Sequence, residues 1–186
     1  LSKKYSVKSP FVLFVGTLQP RKNVAKLIEA FSHLKDDKLE LVIIGKKGWM
    51  YDEIMAAPKK FGVIEKVKFL DFVPDEDLPT FYKHAKIFVL PSLYEGFGLP
   101  VLEAMKYGCP VATSNISSLP EAGGEAAIYF DPKDSKDIAQ TIEKVLENTK
   151  LRSEMIEKGY AQIKKFSWEK AATKTLEVLE RVYKSK

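Results

Sequence analysis

Two stretches of this sequence carry residue types whose order suits the chemistry of phosphorylated ligands. The first runs Gly16-Thr17-Leu18-Gln19-Pro20-Arg21-Lys22-Asn23. Gly16 lets a ligand approach the backbone closely. Arg21 and Lys22 stand just before a helical period, where free N–H groups already favour an anion. Each cation paired with a phosphate at ~4 Å and an effective dielectric of ~20 is worth about 4 kcal/mol before desolvation. The pattern is neither Gly-Lys-Ser/Thr nor Gly-x-Gly-x-x-Gly, and by itself it also describes an exposed turn.

The second stretch is Pro91-Ser92-Leu93-Tyr94-Glu95-Gly96-Phe97-Gly98-Leu99-Pro100-Val101-Leu102-Glu103-Ala104-Met105. Gly96 and Gly98 flank Phe97, which allows exposed backbone amides. Pro100 suits the first turn of a helix, where its missing N–H costs nothing. Glu95 falls in the loop and Glu103 about a turn inside that helix. A carboxylate there can accept two hydrogen bonds from a vicinal diol such as that of ribose.

Positioning these loops requires a scaffold, and the apolar pattern supplies one. Strands are expected at Phe11–Val15, Leu39–Ile44, Val67–Leu70, Ile87–Leu90, Val111–Thr113 and Ala127–Phe130. Several are almost continuously apolar, as strands covered on both faces are. Between them, Val24, Leu27, Ile28, Phe31 and Leu34 mark one amphipathic helix, and Ile138, Ile142, Val145 and Leu146 another. Ser118 and Glu121 have capping-box spacing. This alternation predicts an α/β domain: a Rossmann-like, doubly wound parallel sheet of about six strands over residues 10–186. Ligands bind such sheets beyond the carboxyl ends of the strands, where both loops fall. Residues 1–9 read as a linker or a cut end.

Composition narrows the classes. The 186 residues are 45% apolar and 30% charged, enough to fill a core. No apolar run approaches a membrane span. The single cysteine, Cys109, excludes an internal disulfide and fits a reducing compartment. The net charge of +5 comes from the end of the chain, with 10 basic and 5 acidic residues from Lys150 onward. Without aromatic interleaving or a recognition motif it does not suit nucleic acid. It suits a solvated face, or an acidic partner or anionic membrane surface.

The last expected helix, 167–184, carries two apolar stripes. Trp168, Ala172, Leu176, Leu179 and Tyr183 form one; Ala171, Val178 and Val182 form the other. They describe either a broad core-facing stripe or a helix reaching a further domain. Asp75-Glu76-Asp77 looks like an Asp-x-Asp metal motif but reads as acids favouring a helix start. His33, His84 and Cys109 lack ligand-spaced partners and read as structural, while Trp49 could line a site or anchor a surface.

The blocks GTLQPRKN, FVLPSLYEGFGLPVLEAMKYGCPVATSNISSLPEAGG and FSWEKAATKTLEVLERVY resemble the retaining GT-B glycosyltransferases of family 4, the sucrose-synthase/mannosyltransferase superfamily. The likeness runs from about Phe11 to Tyr183 and covers the C-terminal, donor-binding half. It implies an enzyme that moves a hexose from a nucleotide sugar, of GDP-mannose or UDP-hexose type, to a glycan or lipid-linked acceptor. It also implies an N-terminal acceptor-binding domain on which helix 167–184 docks, without which this chain is inactive.

By position, the resemblance makes Glu103 the second glutamate of the E-x7-E motif, accepting ribose hydroxyls, and Glu95 the first, beside the transferred sugar. Backbone amides of Phe97, Gly98 and Leu99 meet the sugar and diphosphate, Lys22 holds the diphosphate, and the backbone at Val73 meets the base. Members often carry arginine directly after the glycine. This sequence has Thr17 there, and Arg21 is the cation expected to act in its place. The implied catalytic set is Glu95, Lys22 and Arg21, with Gly16 and Thr17 completing the donor site. No metal and no cofactor is implied, and the implied setting is cytoplasmic, at the membrane periphery. Two other readings stay open: a GT-B epimerase or phosphorylase, which should lack GFGLPVLEAM, and a non-catalytic module docking through the terminal helix.

Overall fold

The computed structural model describes residues 1–8 and 10–185. Six strands form one fully parallel sheet: β1 Phe11–Val15, β2 Glu40–Ile44, β3 Val67–Leu70, β4 Ile87–Leu90, β5 Val111–Ser114 and β6 Ala127–Phe130. The order is β3-β2-β1-β4-β5-β6, which is the doubly wound arrangement expected. The direction of winding reverses between β1 and β4, and the crevice beyond their carboxyl ends is the natural ligand site.

The central strands are covered on both faces. Side chains alternate faces along a strand, yet every residue of β4 is 0% exposed. Burying each such side chain favours folding by about 1.5–3 kcal/mol. The edge strand β3 is only half-buried along its length. The cover comes from helices α2 Val24–Ser32, α3 Asp52–Lys60, α4 Leu78–His84, α5 Leu99–Lys106, α6 Leu119–Gly123, α7 Ser135–Glu147 and α8 Thr149–Ile163. Helix α2 lies against α3 and α7, and α5 against α6 and α8.

Three expectations change. Residues 1–8 do not hang as a linker: Ser2–Tyr5 forms a short helix, α1, and Val7 is buried. The Tyr5 ring meets Phe81 edge-on, while Lys4 and the Tyr5 hydroxyl both bond Asp77. Ser9 and Lys186 lie outside the described residues. The Ser118 capping box does not form. Helix α6 starts where expected, but the Ser118 hydroxyl bonds elsewhere.

The third change concerns the final helix, α9 Trp168–Lys184, which Ser167 caps by accepting from Lys170 N–H. None of its residues is buried: Trp168 is 80% exposed, Leu179 61% and Tyr183 81%. The broad core-facing stripe is therefore excluded, and neither stripe packs on the sheet.

Candidate active site

The loops after β1 and β4 meet at the crevice. Arg21 C=O accepts from Leu93 N–H at 2.9 Å. Asn23, in left-handed conformation at φ 56°, donates through its amide to the carbonyls of Pro91 (3.1 Å) and Pro132 (2.7 Å). The loop after β2 joins from the other side. Leu18 N–H donates to Lys46 C=O, and Gly48 N–H to Leu18 C=O. Trp49, largely exposed, donates its indole N–H to the Gln19 side-chain carbonyl at 2.9 Å.

Sequence-distant charges converge here. Lys22 Nζ lies 2.6 Å from Glu95 Oε1, and Arg21 donates to Glu95 Oε2 at 2.9 Å. Ser92 Oγ donates to Oε1 at 2.6 Å. Lys22 and Glu95 are both buried. Lys22 passes Gly16 closely: a Cβ there would stand 3.6 Å from Lys22 Cε. Burial is the largest single effect on the Glu95 carboxyl and pushes it up. The hydrogen bonds from Lys22, Ser92 and Arg21 together outweigh it and hold the group below its ordinary value. Two cations face one carboxylate, so the cluster carries excess positive charge.

The Glu95 backbone is fixed as firmly as its side chain. Ser117 Oγ donates to Glu95 C=O at 2.7 Å and accepts from Glu95 N–H at 3.3 Å; Ser118 Oγ donates to the same carbonyl at 3.0 Å. Ser117 takes φ 59° to do so. Neither serine was recognised in the sequence as part of the site. The Ser118 spacing suggested a cap, and only the tertiary fold brings its hydroxyl to Glu95.

Beyond Glu95 the chain turns into α5 through Gly98, at φ 99°, where an added Cβ would come 2.8 Å from Leu119 Cδ2. Among the described residues, the N–H groups of Phe97, Gly98 and Leu99 donate to no protein acceptor. Together they form a ready cradle for an anion. Phe97 is propped edge-on against Phe166, with ring centroids 5.3 Å apart.

The structure thus unites Gly16, Arg21, Lys22 and Glu95, with Phe97, Gly98 and Leu99 following in the same loop. Thr17 is exposed between the paired strands of backbone. Glu103 is exposed on α5 and stands outside the ion cluster; its carboxylate accepts from Tyr82 Oη at 3.0 Å. Val73 follows β3, two strands away from the crevice, and is buried. His84 Nδ1 lies 2.8 Å from Thr80 C=O, and Cys109 is buried with its thiol pushed up by burial.

A doubly wound sheet with a cationic, amide-rich crevice at its switch point is an arrangement suited to an anionic ligand. Residues 2–162 match the family described as glycosyl transferases group 1, and the chain belongs to that family. It is 40% identical over 169 residues to O-antigen chain mannosyltransferase B of Escherichia coli, covering 89% of this chain and 44% of the relative. Sucrose-phosphate synthase from Thermosynechococcus elongatus superposes with a TM-score of 0.86 at 23% identity, over 100% of this chain and 49% of that one. HepE from Anabaena, solved in complex with UDP and glucose, gives 0.85 at 22% identity, over 97% and 51%. The fold is that of the C-terminal half of a GT-B glycosyltransferase, and the chain spans about half the length of these relatives.

Proposed function

We propose that this chain is the donor-binding half of a retaining hexosyltransferase that uses a nucleotide sugar and builds a glycan or lipid-linked polysaccharide. The observation that carries the proposal is the convergence of Arg21, Lys22 and Glu95 beside the free amides of Phe97, Gly98 and Leu99. Breaking the bond from sugar to nucleotide diphosphate loads negative charge onto the leaving oxygen. Cations and backbone N–H groups fixed around that oxygen stabilise charge as it develops. They supply what a metal ion would, so no metal or cofactor is needed.

Glu95 contacts the transferred sugar and does not attack it. Both of its oxygens are engaged by cationic donors, and a carboxylate so neutralised is a poor nucleophile. Glu103 takes the ribose, Thr17 borders the diphosphate, and the backbone at Val73 meets the base. Because a relative 40% identical to this chain is a mannosyltransferase, a GDP-mannose donor is favoured over a UDP-hexose. The exposed apolar stripes of α9 dock on an N-terminal acceptor-binding domain, and transfer requires that domain. The basic residues from Lys150 onward suit work in the cytoplasm against an anionic membrane surface; among the described residues no helix is long and apolar enough to cross it.

Isothermal titration tests the reading. The chain should bind GDP or UDP with measurable heat and transfer no sugar by itself. No heat with any nucleoside diphosphate would refute it.

A further inference from the structure

The two motif glutamates are treated in opposite ways by their surroundings. Glu95 is buried and neutralised by two cations. Glu103 is exposed and, among the described residues, has no cationic partner. Its natural helical neighbour, Lys106, lies instead over the Tyr107 ring, 5.6 Å from the centroid. The hydrogen bond that Glu103 does receive comes from a neutral group inside the core.

That group is the hydroxyl of Tyr82, on α4. The side chain is 1% exposed, stacked on Tyr107 with centroids 5.9 Å apart and an interplanar angle of 14°, and set edge-on to Phe88 at 5.6 Å. A ring packed against two aromatic neighbours cannot swing, so its hydroxyl is a fixed point. Burial, followed by the neighbouring Glu103 charge and hydrogen bond, raises the Tyr82 phenol far above its ordinary value. It remains a proton donor at every working pH.

We propose that Tyr82 is a positioning residue that aims the Glu103 carboxylate at the ribose of the bound nucleotide. The phenol O–H occupies one lone pair of Oε2. The remaining lone pairs of the carboxylate stay free to accept two vicinal hydroxyls. A neutral donor orients the carboxylate without cancelling its charge, which a lysine or arginine would do. Charge-assisted hydrogen bonds to ribose are the stronger for it.

The inference rests on the ribose reading of Glu103 given above, and the experiment separates the two. In the full-length protein, GDP or UDP, whichever binds, is titrated beside its 2′,3′-dideoxy analogue. Glu103→Ala should weaken the ribose form and spare the analogue. If both are weakened equally, or neither, the ribose reading falls and the inference with it. Tyr82→Phe keeps the ring and removes the hydroxyl. It should weaken the ribose form by about tenfold, spare the analogue, and add nothing on top of Glu103→Ala. Equal weakening of both ligands by Tyr82→Phe, or no weakening, overturns the positioning role while Glu103 keeps its own. If Tyr82→Phe fails to fold, 4-fluorophenylalanine at position 82 fills the space of the hydroxyl and gives the same readout.

Discussion

Lys22 Nζ and Glu95 Oε1 stand 2.6 Å apart although 73 positions separate them in sequence. Only the β1–β4 adjacency of the doubly wound sheet closes that gap. Both side chains are almost fully buried. Removing Lys22 leaves the buried Glu95 with Arg21 and Ser92 but without its buried cation, at a cost of ~3 kcal/mol. Lys22→Ala should therefore lower the melting temperature by roughly 10 °C. It should also weaken nucleoside diphosphate binding by about tenfold or more, measured by titration. A variant that melts like the wild type would show the pair to be incidental.

The same pair sets an acid limit. Glu95 in the folded chain is held below its ordinary value. The stability this supplies is fully present above the unfolded carboxyl pKa of about 4.3 and is lost as pH falls through the lower folded value. Glu95→Gln removes that titration. Wild type should melt well above the variant near neutrality, and the gap should shrink in melts taken progressively below about pH 4. A gap independent of pH would contradict the prediction.

The serine clamp on the Glu95 backbone makes a separate prediction. Replacing Ser117 and Ser118 together by alanine leaves the Glu95 carbonyl without its two hydroxyl donors. The cost expected in denaturant unfolding is about 1–3 kcal/mol, accompanied by a fall in the transfer activity proposed for the full-length protein. Glu121→Ala, which would matter only in a capping box, should change stability by less than ~0.5 kcal/mol.

Helix α9 offers a comparison between chain lengths. Leu176→Lys with Leu179→Lys alters two exposed residues, so the melting of this chain should not change. In the full-length protein the same pair should lower stability and transfer activity. Unchanged activity there would mean that the stripes do not meet the other half.

Much of this was legible from the residues, for a physical reason. Strands covered on both faces must be continuously apolar, so Phe11–Val15 and Ile87–Leu90 coincide with the spans expected, and the edge strands Val67–Leu70 and Ala127–Phe130 do so as well. The cationic loop and the loop bearing Glu95 were recognisable through the resemblance of GTLQPRKN and of the block around GFGLPVLEAM to a known family, since the cationic loop by itself also describes an exposed turn. What stayed hidden depends on contacts between elements. Tyr82 reads as one more aromatic in an apolar run, and nothing local shows that its hydroxyl ends against Glu103. Ser118 reads as a cap because spacing is local, whereas its acceptor lies 23 positions back. Helix α1 was missed because Ser2–Tyr5 has no apolar period of its own and is held by Phe81 and Asp77.

The amide of Asn23 spans two loop carbonyls, at Pro91 and Pro132. It works as a rivet, fixing the width of the mouth when the chain folds and not when a guest arrives. The ordering entropy is spent beforehand, so a ligand of the proposed kind would enter a finished socket whose walls need not travel to meet it.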